Sequence, residues 1–537
     1  MSEPVLSMRG LTVRLPEGAD RRYAVQGIDL DVNPGEIVCV VGESGSGKSV
    51  SAFSVMGLMA KELRAEAGSI RLQGEELLGA TPQRLRTLRG DRMAMVFQEP
   101  ATALNPVETI GAQIDEVLAI HTAMPSAERR AKVVELMGAM HLPDPAKLYD
   151  TFPHQMSGGQ RQRVMIAAAM ACDPALLIAD EPTTALDVTT QAQILKLIRE
   201  LIARRDAGAL FITHDFGVVE EIADRVVVMR GGVVVESGTA AEVLQRPHDA
   251  YTRMLIDAVP SMTPPERAAA KGPVAVETIE LVKRYGGRGL FARSAGLTAV
   301  KGVDLTIRRN ETLGVVGESG SGKSTVARCI VRLIDPTTGA VRLGGTDVAK
   351  LGRGALRPYR RRIQIVFQDP YRSLNPRRTV GASITEGPRN FGVSRADAED
   401  KARRLMSRVG LSPDALDRYP HQFSGGQRQR IAIARALAME PQIIVADEAV
   451  SALDVSVQKQ VMELLDEVKE EFDLAVLFIT HDLRVAAQIC DRIMVMQRGE
   501  VVEAGPTAEL FAAPKHPYTA ALLAAAPGAK SGAKTAA

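Results

Sequence analysis

The sequence predicts an α/β fold that occurs twice in one chain. Near-continuous apolar runs alternate with longer amphipathic stretches, and the runs are IVCVV (37–41), MAMVF (93–97), LLIA (176–179) and ALFIT (209–213). Runs of this kind are typical of strands buried on both faces, as in a mostly parallel sheet covered by helices. Strands alternating with helices place each half in the α/β class.

Every motif of the first half recurs in the second half in the same order. The repeated segments are GESGSGKS at 42–49 and 317–324, VFQEP and VFQDP at 96–100 and 366–370, SGGQRQR at 157–163 and 424–430, and FITHD at 211–215 and 478–482. A period near half the chain length indicates two homologous domains in tandem rather than a solenoid. We predict domains at 1–262 and 274–527, a short linker at 263–273 rich in Pro, Ala and charge, and a disordered end at 528–537.

Length and composition narrow the function classes. The chain has 537 residues, of which 45% are hydrophobic and 24% charged, with a formal net charge of +2 and no tryptophan. These values exclude a disordered, collagen-like or coiled-coil chain. The chain also lacks the basic charge and the stacking aromatics of a nucleic-acid-binding protein, so we expect no nucleic-acid partner.

Cysteine usage and hydropathy indicate the compartment. The four cysteines are far apart and form no CxxC pair, which favours a reducing compartment without disulfides. The first residues, MSEPVLSMRG, do not resemble a secretory signal, and no run approaches the roughly 18 apolar residues that a membrane helix needs. We therefore expect a soluble intracellular protein whose role at a membrane depends on a partner.

The segment GESGSGKS predicts a phosphate-binding loop in each half. It fits G-x-x-x-x-G-K-[ST] between a buried strand and a helix-compatible run, which is the context this motif requires. Its glycines let backbone N–H groups wrap phosphates, and the helix N-terminus adds partial positive charge. We expect the lysines to reach the β and γ phosphates and the serines to bind Mg²⁺. The predicted residues are Gly42, Ser44, Gly45, Gly47, Lys48 and Ser49, and in the second half Gly317, Ser319, Gly320, Gly322, Lys323, Ser324 and Thr325.

An acidic pair follows a buried strand in each half. Asp180 and Glu181 end LLIADE, and Asp447 and Glu448 end IIVADE. Ligands bind at the carboxyl edge of open α/β sheets, so these side chains are candidates for the reacting site. We expect the aspartates to hold the metal with its water shell and the glutamates to polarise the water that attacks the γ-phosphate.

Two further polar residues follow strands in both halves. His214 and His481 end FITH at the same distance after the acidic pair, and we expect them to contact the γ-phosphate. Gln98 and Gln368 come directly after MAMVF and IQIVF, and we expect them to position metal and water. Each prediction rests on the recurrence of the residue in both copies, because a lone histidine or strand-end glutamine is more often structural.

The motif SGGQ between the phosphate loop and the acidic strand identifies a resemblance to the ABC transporter ATPases. The resemblance covers nearly the whole chain and rests on five motifs, each present twice. It implies two P-loop NTPase domains, each with a mostly parallel sheet core, an antiparallel β subdomain and a helical subdomain that carries the SGGQ signature. It also implies ATP as substrate, Mg²⁺ as cofactor, and hydrolysis to ADP and phosphate coupled to transport.

The family further implies that the two domains pair head to tail, so that each ATP lies between one phosphate loop and the other domain's signature. The signature residues are Ser157, Gly158, Gly159 and Gln160, which would complete the Lys323 site, and Ser424, Gly425, Gly426 and Gln427, which would complete the Lys48 site. Asp187 and Asp454 match the D-loop that crosses this interface, although a helix-capping role stays open for them. Because Glu181 and Glu448 are both present, we predict two hydrolytically competent sites.

The family also implies an aromatic residue that stacks on adenine. Tyr23 fits this position in the first half, whereas Thr298 occupies the corresponding position in the second. Phe291 or Tyr285, from the segment YGGRGLFARSAG that the first half lacks, is the candidate substitute.

The segment after each domain indicates the subfamily. The first tail (residues 246–260, RPHDAYTRMLIDAVP) and the second tail (residues 513–527, APKHPYTAALLAAAP) resemble the P-x-H-P-Y-T-x-x-L-L region of oligopeptide, dipeptide and nickel importer ATPases. In that group the region packs near the groove where a membrane subunit docks. The first tail departs from the pattern, with Asp249 and Ala250 where the second has His516 and Pro517. Neither tail contains cysteine, so we predict no iron–sulfur cluster.

The resemblance implies the ATPase subunit of an importer for peptides or related small molecules, most like the ATPases of microcin C and peptide importers. The implied partners are two transmembrane permease subunits and a substrate-binding protein, with this chain peripheral at the cytoplasmic face of the inner membrane. Alternatives are an importer ATPase for glutathione, nickel or sugar, and a soluble twin-ABC translation factor. Translation factors carry a long charged linker and no such tails, and fused sugar-importer ATPases have one degraded half, so both fit less well.

Overall fold

The computed structural model describes residues 3–183, 186–205, 207–286, 296–369, 373–451 and 453–526. The predicted disordered end at 528–537 and the candidate Phe291 lie outside these residues, as do parts of the TALD and SALD motifs. The chain divides into two compact units. The first unit comprises Met1–Leu186 and Thr190–Val259, and the second comprises Asp187–Thr189 and Pro260–Ala537.

The first unit begins with strands and alternates strands with helices from its phosphate loop onwards. Its strands are β1 (Leu6–Arg14), β2 (Tyr23–Val32), β3 (Ile37–Val41), β4 (Arg64–Leu72), β5 (Glu75–Glu76), β6 (Met93–Val96), β7 (Leu176–Asp180), β8 (Gly208–Ile212), β9 (Arg225–Arg230) and β10 (Val233–Thr239). Its helices are α1 (Lys48–Met56), α2 (Pro82–Leu88), α3 (Pro100–Ala103), α4 (Ile110–His121), α5 (Ser126–Ala139), α6 (Pro145–Leu148), α7 (Gly158–Ala169), α8 (Val188–Arg205), α9 (Phe216–Ile222), α10 (Ala240–Gln245) and α11 (Ala250–Asp257). A short 3-10 helix at Pro153–Gln155 precedes α7.

Two sheets organise the first unit. A four-stranded antiparallel sheet has the order β2-β1-β4-β5. A six-stranded sheet has the order β10-β9-β3-β8-β7-β6, in which the edge strand β10 is antiparallel to β9 and the other neighbours are parallel. Helices α4 to α7 lie between β6 and β7 in the chain and carry the SGGQ segment. The predicted sheet core, antiparallel subdomain and helical subdomain are confirmed.

The second unit repeats this order of elements. Its strands are β11 (Val274–Tyr285), β12 (Leu297–Arg308), β13 (Thr312–Val316), β14 (Thr338–Leu343), β15 (Thr346–Asp347), β16 (Ile363–Phe367), β17 (Ile443–Asp447), β18 (Ala475–Ile479), β19 (Arg492–Gln497) and β20 (Glu500–Pro506). Its helices are α12 (Lys323–Ile330), α13 (Arg353–Arg362), α14 (Val380–Asn390), α15 (Arg395–Arg408), α16 (Gly425–Leu437), α17 (Val455–Glu471), α18 (Leu483–Ile489), α19 (Thr507–Ala512) and α20 (Pro517–Ala524), with 3-10 helices at Pro413–Asp417 and Pro420–Gln422. The sheet orders are β12-β11-β14-β15 and β16-β17-β18-β13-β19-β20.

The predicted apolar runs form the central strands. Strand β3 coincides with IVCVV, and every residue of β3, β7 and β8 is buried. Strand β6 ends one residue before the predicted end, at Val96, and Phe97 is 36% exposed. Phe211 of β8 and Phe478 of β18 are among the largest fully buried side chains. Burial on both faces explains why these strands lack the polar alternation of a surface sheet.

Residues 260–273 contain no helix or strand and are attached to the second unit. Arg267 donates hydrogen bonds to both carboxylate oxygens of Asp466, at 3.2 and 2.7 Å, and to the carbonyl oxygen of Gln488 at 2.7 Å. The side-chain amide of Gln488 donates in turn to the carbonyl oxygens of Ser261 and Thr263, at 2.8 and 2.9 Å. These contacts fix the segment that composition marks as a linker.

Candidate functional site

The strand order brings the predicted site residues to one edge of each six-stranded sheet. In the first unit the neighbouring parallel strands are β3, β8, β7 and β6. The phosphate loop follows β3, His214 follows β8, the acidic pair ends β7, and Gln98 follows β6. Because the carboxyl ends of parallel strands meet at one edge, four motifs that are far apart in sequence become neighbours. Strands β13, β18, β17 and β16 repeat this order in the second unit.

The first phosphate loop has a backbone that requires glycine. Gly42 has a φ of 145° and Gly47, which precedes α1, has a φ of 104°. A Cβ atom at Gly42 would lie 2.2 Å from the carbonyl oxygen of Met229. The Lys48 ammonium donates hydrogen bonds to the carbonyl oxygens of Gly42 and Glu43, at 2.7 and 2.9 Å. The lysine thus closes the loop on which it sits.

The second phosphate loop has the same geometry. Gly317 has a φ of 147°, and a Cβ atom there would lie 2.2 Å from the carbonyl oxygen of Met496. Lys323 donates to the carbonyl oxygens of Gly317 and Glu318, at 2.7 and 2.8 Å. Burial lowers the pKa of Lys323, which is 5% exposed. A buried ammonium is stabilised by an anion, and this favours a bound phosphate.

Each loop also holds a buried hydroxyl without a partner. Among the residues that the structure describes, the Oγ atoms of Ser46 and Ser321 are buried and make no hydrogen bond. Such a group costs free energy unless a ligand or water satisfies it. With the amides of the loop and the N-termini of α1 and α12, these hydroxyls fit the phosphate oxygens of a nucleotide.

A hydroxyl and a carboxylate next to each loop fit a magnesium ion. The Ser49 hydroxyl donates to Asp180 Oδ1 at 3.2 Å, and the Ser324 hydroxyl donates to Asp447 Oδ1 at 2.9 Å. Burial raises the pKa of Asp180 to about 6 and also raises the pKa of Asp447. Mg²⁺ prefers such oxygen donors, and its charge would offset the cost of burying these carboxylates.

In the first unit, Glu181 connects the predicted histidine and glutamine. His214 Nδ1 lies 3.1 Å from Glu181 Oε1, and the Gln98 amide donates to Glu181 Oε2 at 2.9 Å. Burial alone would lower the pKa of His214, but the hydrogen bond with Glu181 and the negative charges of Glu181 and Asp215 together outweigh it and raise the pKa. Glu181 has a φ of 46°, a left-handed conformation that is costly for a glutamate. Glu181 therefore has a strained backbone at the strand end, and His214 and Gln98 orient its carboxylate.

In the second unit the histidine contact recurs but the glutamine contact differs. His481 Nδ1 lies 3.4 Å from Glu448 Oε2, and Glu448 has a φ of 53°. Burial alone would raise the pKa of Glu448, but the hydrogen bond with His481 and the positive charges of His481 and Lys323 together outweigh it and lower the pKa. The Gln368 amide donates to Ser451 Oγ at 3.3 Å. The pairing of glutamate and histidine is thus common to both units, whereas the glutamine has a different partner in each.

The two signatures begin helices α7 and α16 with the same cap. Ser157 Oγ accepts a hydrogen bond from the backbone N–H of Gln160 at 3.3 Å, and Gln160 Oε1 accepts one from the backbone N–H of Ser157 at 3.0 Å. Ser424 and Gln427 form the same pair of bonds, at 3.3 and 3.0 Å. This capping box leaves the amides of the two intervening glycines at the first helical turn, where no helical acceptor exists.

The glycines of each signature have different reasons for being glycine. A Cβ atom at Gly159 would lie 2.6 Å from Thr190 Cγ2, and one at Gly426 would lie 2.2 Å from Val457 Cγ1. The second glycine of each signature therefore permits close helix packing within its own unit. A Cβ atom at Gly158 or Gly425 would meet nothing within 4 Å, so packing does not explain them.

Three other predicted residues can be placed. Asp454 precedes α17 and accepts from the Val457 amide at 3.1 Å, so it has the capping role that was left open. Tyr23 begins β2 and is paired with Arg14 of β1, and Thr298 has the equivalent pairing with Arg284 in the second unit. Tyr285 is 39% exposed beside this position, with the Lys283 ammonium 5.3 Å from its ring centroid.

The tails contact the phosphate loops, a feature that the sequence analysis missed. The Tyr251 hydroxyl accepts a hydrogen bond from the Glu43 amide at 3.1 Å, and the Tyr518 hydroxyl accepts one from the Glu318 amide at 3.1 Å. The only signal in the sequence is that YT recurs in both tails.

Asp249, one of the two departures of the first tail from the family pattern, makes the same cap as its counterpart His516. Asp249 Oδ1 accepts from the Tyr251 amide at 2.7 Å, and His516 Nδ1 accepts from the Tyr518 amide at 3.2 Å. Both residues cap the tail helix that follows, so aspartate and histidine serve the same purpose.

Comparison with known families agrees with this geometry. The ABC transporter profile matches residues 25–184 and 300–451, which contain both phosphate loops, both signatures and both acidic pairs. The chain belongs to the ABC transporter family. The C-terminal region of the oligopeptide/dipeptide transporters matches residues 235–293 and 502–537, which include both tails. The chain is therefore an ABC transporter ATPase of the oligopeptide and dipeptide group, as its motifs predict.

Several curated proteins are similar to this ABC ATPase along almost its whole length. The peptidoglycan transport ATP-binding protein YejF of Agrobacterium fabrum is 46% identical over 98% of this chain and 97% of its own. The glutathione import ATP-binding proteins GsiA of Pectobacterium atrosepticum and of Escherichia coli are each 43% identical, over 97% and 98% of this chain and 89% and 90% of their own. These names agree with the predicted importer and do not favour the translation-factor alternative.

Among solved structures, a post-hydrolysis dimer of the ATP-binding cassette MJ0796 bound to ADP and Pi is 33% identical. It aligns with 43% of this chain and 98% of its own, with a TM-score of 0.39.

Proposed function

We propose that this chain is the ATP-hydrolysing subunit of an ABC importer, in which ATP binding and hydrolysis drive uptake of peptides or related small molecules through separate membrane subunits. The observation that carries the proposal is the doubled site. Each unit gathers a buried lysine, a hydroxyl–carboxylate pair and a glutamate–histidine pair at one sheet edge. Each unit also ends in a tail of the oligopeptide and dipeptide group.

The roles of the loop residues follow from their charge and position. The Lys48 and Lys323 ammonium groups neutralise the β and γ phosphates of ATP, and the loop amides donate to the phosphate oxygens. Ser49 with Asp180, and Ser324 with Asp447, would hold Mg²⁺ together with Gln98 and Gln368. A bound ion would supply positive charge next to the phosphates.

The glutamates act on the attacking water. Glu181 and Glu448 accept a hydrogen bond from that water and orient it towards the γ-phosphorus, while His214 and His481 hold each carboxylate in place and contact the γ-phosphate. Water attack breaks the bond between the γ-phosphorus and the bridging oxygen and gives ADP and phosphate. Because both glutamates are paired with a histidine, both sites are competent.

The remaining contacts to ATP follow the family. Tyr23 stacks on adenine in the first site, and Tyr285 is the described candidate in the second. The signature amides of each unit complete the ATP site of the other, and Asp187 and Asp454 order the facing site. These assignments explain why Gly158 and Gly425 are glycines although a Cβ atom at either position would meet nothing within 4 Å.

The proposed partners are two transmembrane permease subunits and a substrate-binding protein. In the part of the chain that the structure describes, no helix has the length and apolar character to cross a membrane. Permease subunits would therefore carry the transport path, with this chain at the cytoplasmic face of the inner membrane. Cargo selectivity would lie in the permeases and the binding protein.

Purification from native membranes tests the importer assignment. The tagged chain is extracted in mild detergent, and co-purifying proteins are identified by mass spectrometry. We expect two polytopic membrane proteins in near-equal amounts. Co-purification with ribosomes, or with no membrane protein, would contradict the proposal.

Nucleotide binding tests the phosphate loops separately. The double variant Lys48→Ala with Lys323→Ala removes both buried ammonium groups, and we expect Mg-ATP affinity to fall at least about a hundredfold. Lys61→Ala, at an exposed lysine outside the loops, is the matched control. Tight Mg-ATP binding by the double variant would refute the loop assignment.

A further inference from the structure

Each tail contacts the phosphate loop of its own unit through a tyrosine hydroxyl. The amide of Glu43 donates to Tyr251 Oη, and the amide of Glu318 donates to Tyr518 Oη, both at 3.1 Å. The sequences before the tyrosines differ, HDA in the first tail and KHP in the second. Equal contacts from different sequences indicate that the fold of each unit places the hydroxyl at the loop.

Glu43, which the tyrosine contacts, also forms hydrogen bonds with other residues of the loop. The carbonyl oxygen of Glu43 accepts from the Ser46 amide at 3.1 Å and from the Lys48 ammonium at 2.9 Å. The second loop repeats both contacts around Glu318, at 3.2 and 2.8 Å. Because the N–H and the C=O belong to one residue, a shift of this amide moves the support of the phosphate-binding lysine.

The opposite side of the first tail is anchored to the sheet. The Glu236 carboxylate, on edge strand β10, accepts from the amides of His248 and Asp249 at 2.7 and 3.2 Å. Helix α11 follows at once, and Tyr251 in its first turn is 4% exposed. The tail therefore joins the edge strand to the phosphate loop through a single short helix.

The second tail is anchored in the same way but differs in the residue next to the tyrosine ring. The Glu503 carboxylate accepts from the amides of Lys515 and His516 at 2.8 and 3.0 Å. In the first unit the Arg230 guanidinium lies 4.8 Å from the Tyr251 ring centroid. The matching residue at the end of β19 is Gln497, which has no charge to place over a ring.

Both hydroxyls stay neutral at working pH. Burial raises the pKa of Tyr251 to about 12, and burial also raises the pKa of Tyr518. A neutral phenol oxygen accepts the loop amide without adding negative charge beside the phosphates. A glutamate or aspartate at this place would accept the same bond but repel the nucleotide.

We propose that Tyr251 and Tyr518 are positioning residues of the two ATP sites, and that displacement of a tail helix loosens the phosphate loop of its own unit and weakens nucleotide binding there. The tyrosines act on ATP only through Glu43 and Glu318. This inference rests on the proposed ATPase function and adds the tails to the machinery of that site.

Hydrogen exchange in the nucleotide-free full chain tests the contact itself. Tyr251→Phe keeps the buried ring but removes the acceptor, so we expect the Glu43 amide to exchange about fivefold faster while the second loop is unchanged. Tyr518→Phe should produce the reverse pattern, so each variant carries its control in the other unit. Exchange within twofold of wild type at the loop of the altered unit overturns the inference.

Steady-state ATP hydrolysis tests whether the contact positions the site. The double variant Tyr251→Phe with Tyr518→Phe should raise KM for Mg-ATP about fivefold with kcat within about twofold of wild type. Tyr359→Phe, at a ring that packs on the core of the second unit, should change neither. Faster exchange with unchanged KM overturns the positioning role, because the contact would then be only structural.

A double-mutant cycle tests transmission through the tail helix. Glu236→Gln weakens the anchor while leaving the tyrosine, and we expect it to raise loop exchange in the first unit. In the Tyr251→Phe background the same change should add nothing, because the hydroxyl through which the helix acts on the loop is then absent. Additive effects would overturn the inference.

The ATPase assignment and the positioning role fail in different ways. A wild-type chain that hydrolyses no ATP, or lysine variants that hydrolyse it normally, would refute the proposed function while leaving the exchange result interpretable. Normal hydrolysis that needs the lysines but ignores the tyrosines would refute only the positioning role.

Discussion

The two units place a guanidinium at the same point of the fold but take it from different parts of the chain. In the first unit, Arg199 of helix α8 donates to the carbonyl oxygen of Glu221 at 2.9 Å. In the second unit, Arg267 from the segment before the first strand donates to the carbonyl oxygen of Gln488 at 2.7 Å. Each guanidinium also lies 3.6 Å from a carboxylate oxygen that precedes β9 or β19, respectively.

The surroundings of the two arginines differ in charge and exposure. Asp466 of α17 occupies the helix position that Arg199 occupies in α8, and it binds Arg267 with two hydrogen bonds. Arg199 is 53% exposed, whereas Arg267 is 22% exposed. Lys469, one turn further along α17, is buried and lies 3.1 Å from Asp466. The exchange of arginine for aspartate on the helix thus creates a binding place for the linker.

This comparison shows that duplicated units keep a required contact while changing its source. The first unit supplies its guanidinium locally and leaves it near solvent. The second unit recruits residues 260–273 into its own structure, so the segment between the domains is part of the second unit's stability.

We expect the largest loss of stability when the first glycine of either phosphate loop is replaced, and the loss should be similar in the two units. Gly42→Ala and Gly317→Ala each introduce a Cβ atom 2.2 Å from a backbone oxygen, at a φ that alanine rarely adopts. Strain and displacement together should lower the free energy of opening of the altered unit by about 3 kcal/mol. Hydrogen exchange at increasing urea, read in strands β3 and β13, measures this. Gly354→Ala, in an exposed helical position with open space, is the control, and a similar loss there would contradict the account.

The next effect should differ between the units. Arg267→Ala leaves Asp466 and Asp491 without their arginine, so we expect the second unit to lose about 2 kcal/mol, somewhat less than for a fully buried pair. Arg199→Ala removes a mostly exposed contact and should cost the first unit under about 0.5 kcal/mol. The same exchange experiment reports both. Equal losses of stability would show that Arg267 contributes no more to its unit than Arg199 does.

The smallest effect concerns pH and the glutamate–histidine pairs. Pairing raises the pKa of His214 and of His481, so each pair contributes stability that is fully present below the ordinary histidine pKa of about 6.5 and is lost as pH rises through the raised value. His214→Ala with His481→Ala should therefore cost most stability at acid pH and less as pH increases. The measurement is urea unfolding from pH 5.5 to 8.5 in magnesium-free buffer.

The matched control for this pH dependence removes the partner carboxylates. In a Glu181→Gln and Glu448→Gln background, the histidine substitutions should no longer cost more at acid pH, because a neutral amide does not favour the imidazolium. A cost that grows with pH, or persists unchanged in this background, would contradict the pairing.

Most site residues could be predicted from the sequence because they belong to short motifs next to strands. The phosphate loops, acidic pairs, histidines and glutamines each follow a strand, and the parallel sheet brings strand ends together whatever their separation in the chain. Strand β3 also coincides with its predicted run, because an all-apolar segment is most stable as a strand that is buried on both faces. The partners of Gln98 and Gln368 could not be predicted, because the sequence does not specify the rotamer of either side chain, which contacts Glu181 in the first unit and Ser451 in the second.

Contacts between distant segments explain what the sequence does not predict. Glu43 and Tyr251 are 208 residues apart, and the fold brings them together with the tail bound to Glu236 of the edge strand. Asp249 in place of His516 reads as a departure from the family pattern, although both side chains accept the same helix-capping bond. Arg267 lies in a segment whose composition is that of a linker, and its binding place depends on Asp466 far along the chain.

We propose that both units hold a competent ATP site, and ATP turnover by glutamate variants tests this proposal. Glu181→Gln and Glu448→Gln are compared singly and together, with Mg-ATP binding measured in parallel. We expect each single variant to lower kcat by a similar factor, and the double variant to bind Mg-ATP normally but to turn over at least about a hundredfold more slowly. Wild-type turnover by either single variant, or by the double variant, would contradict it.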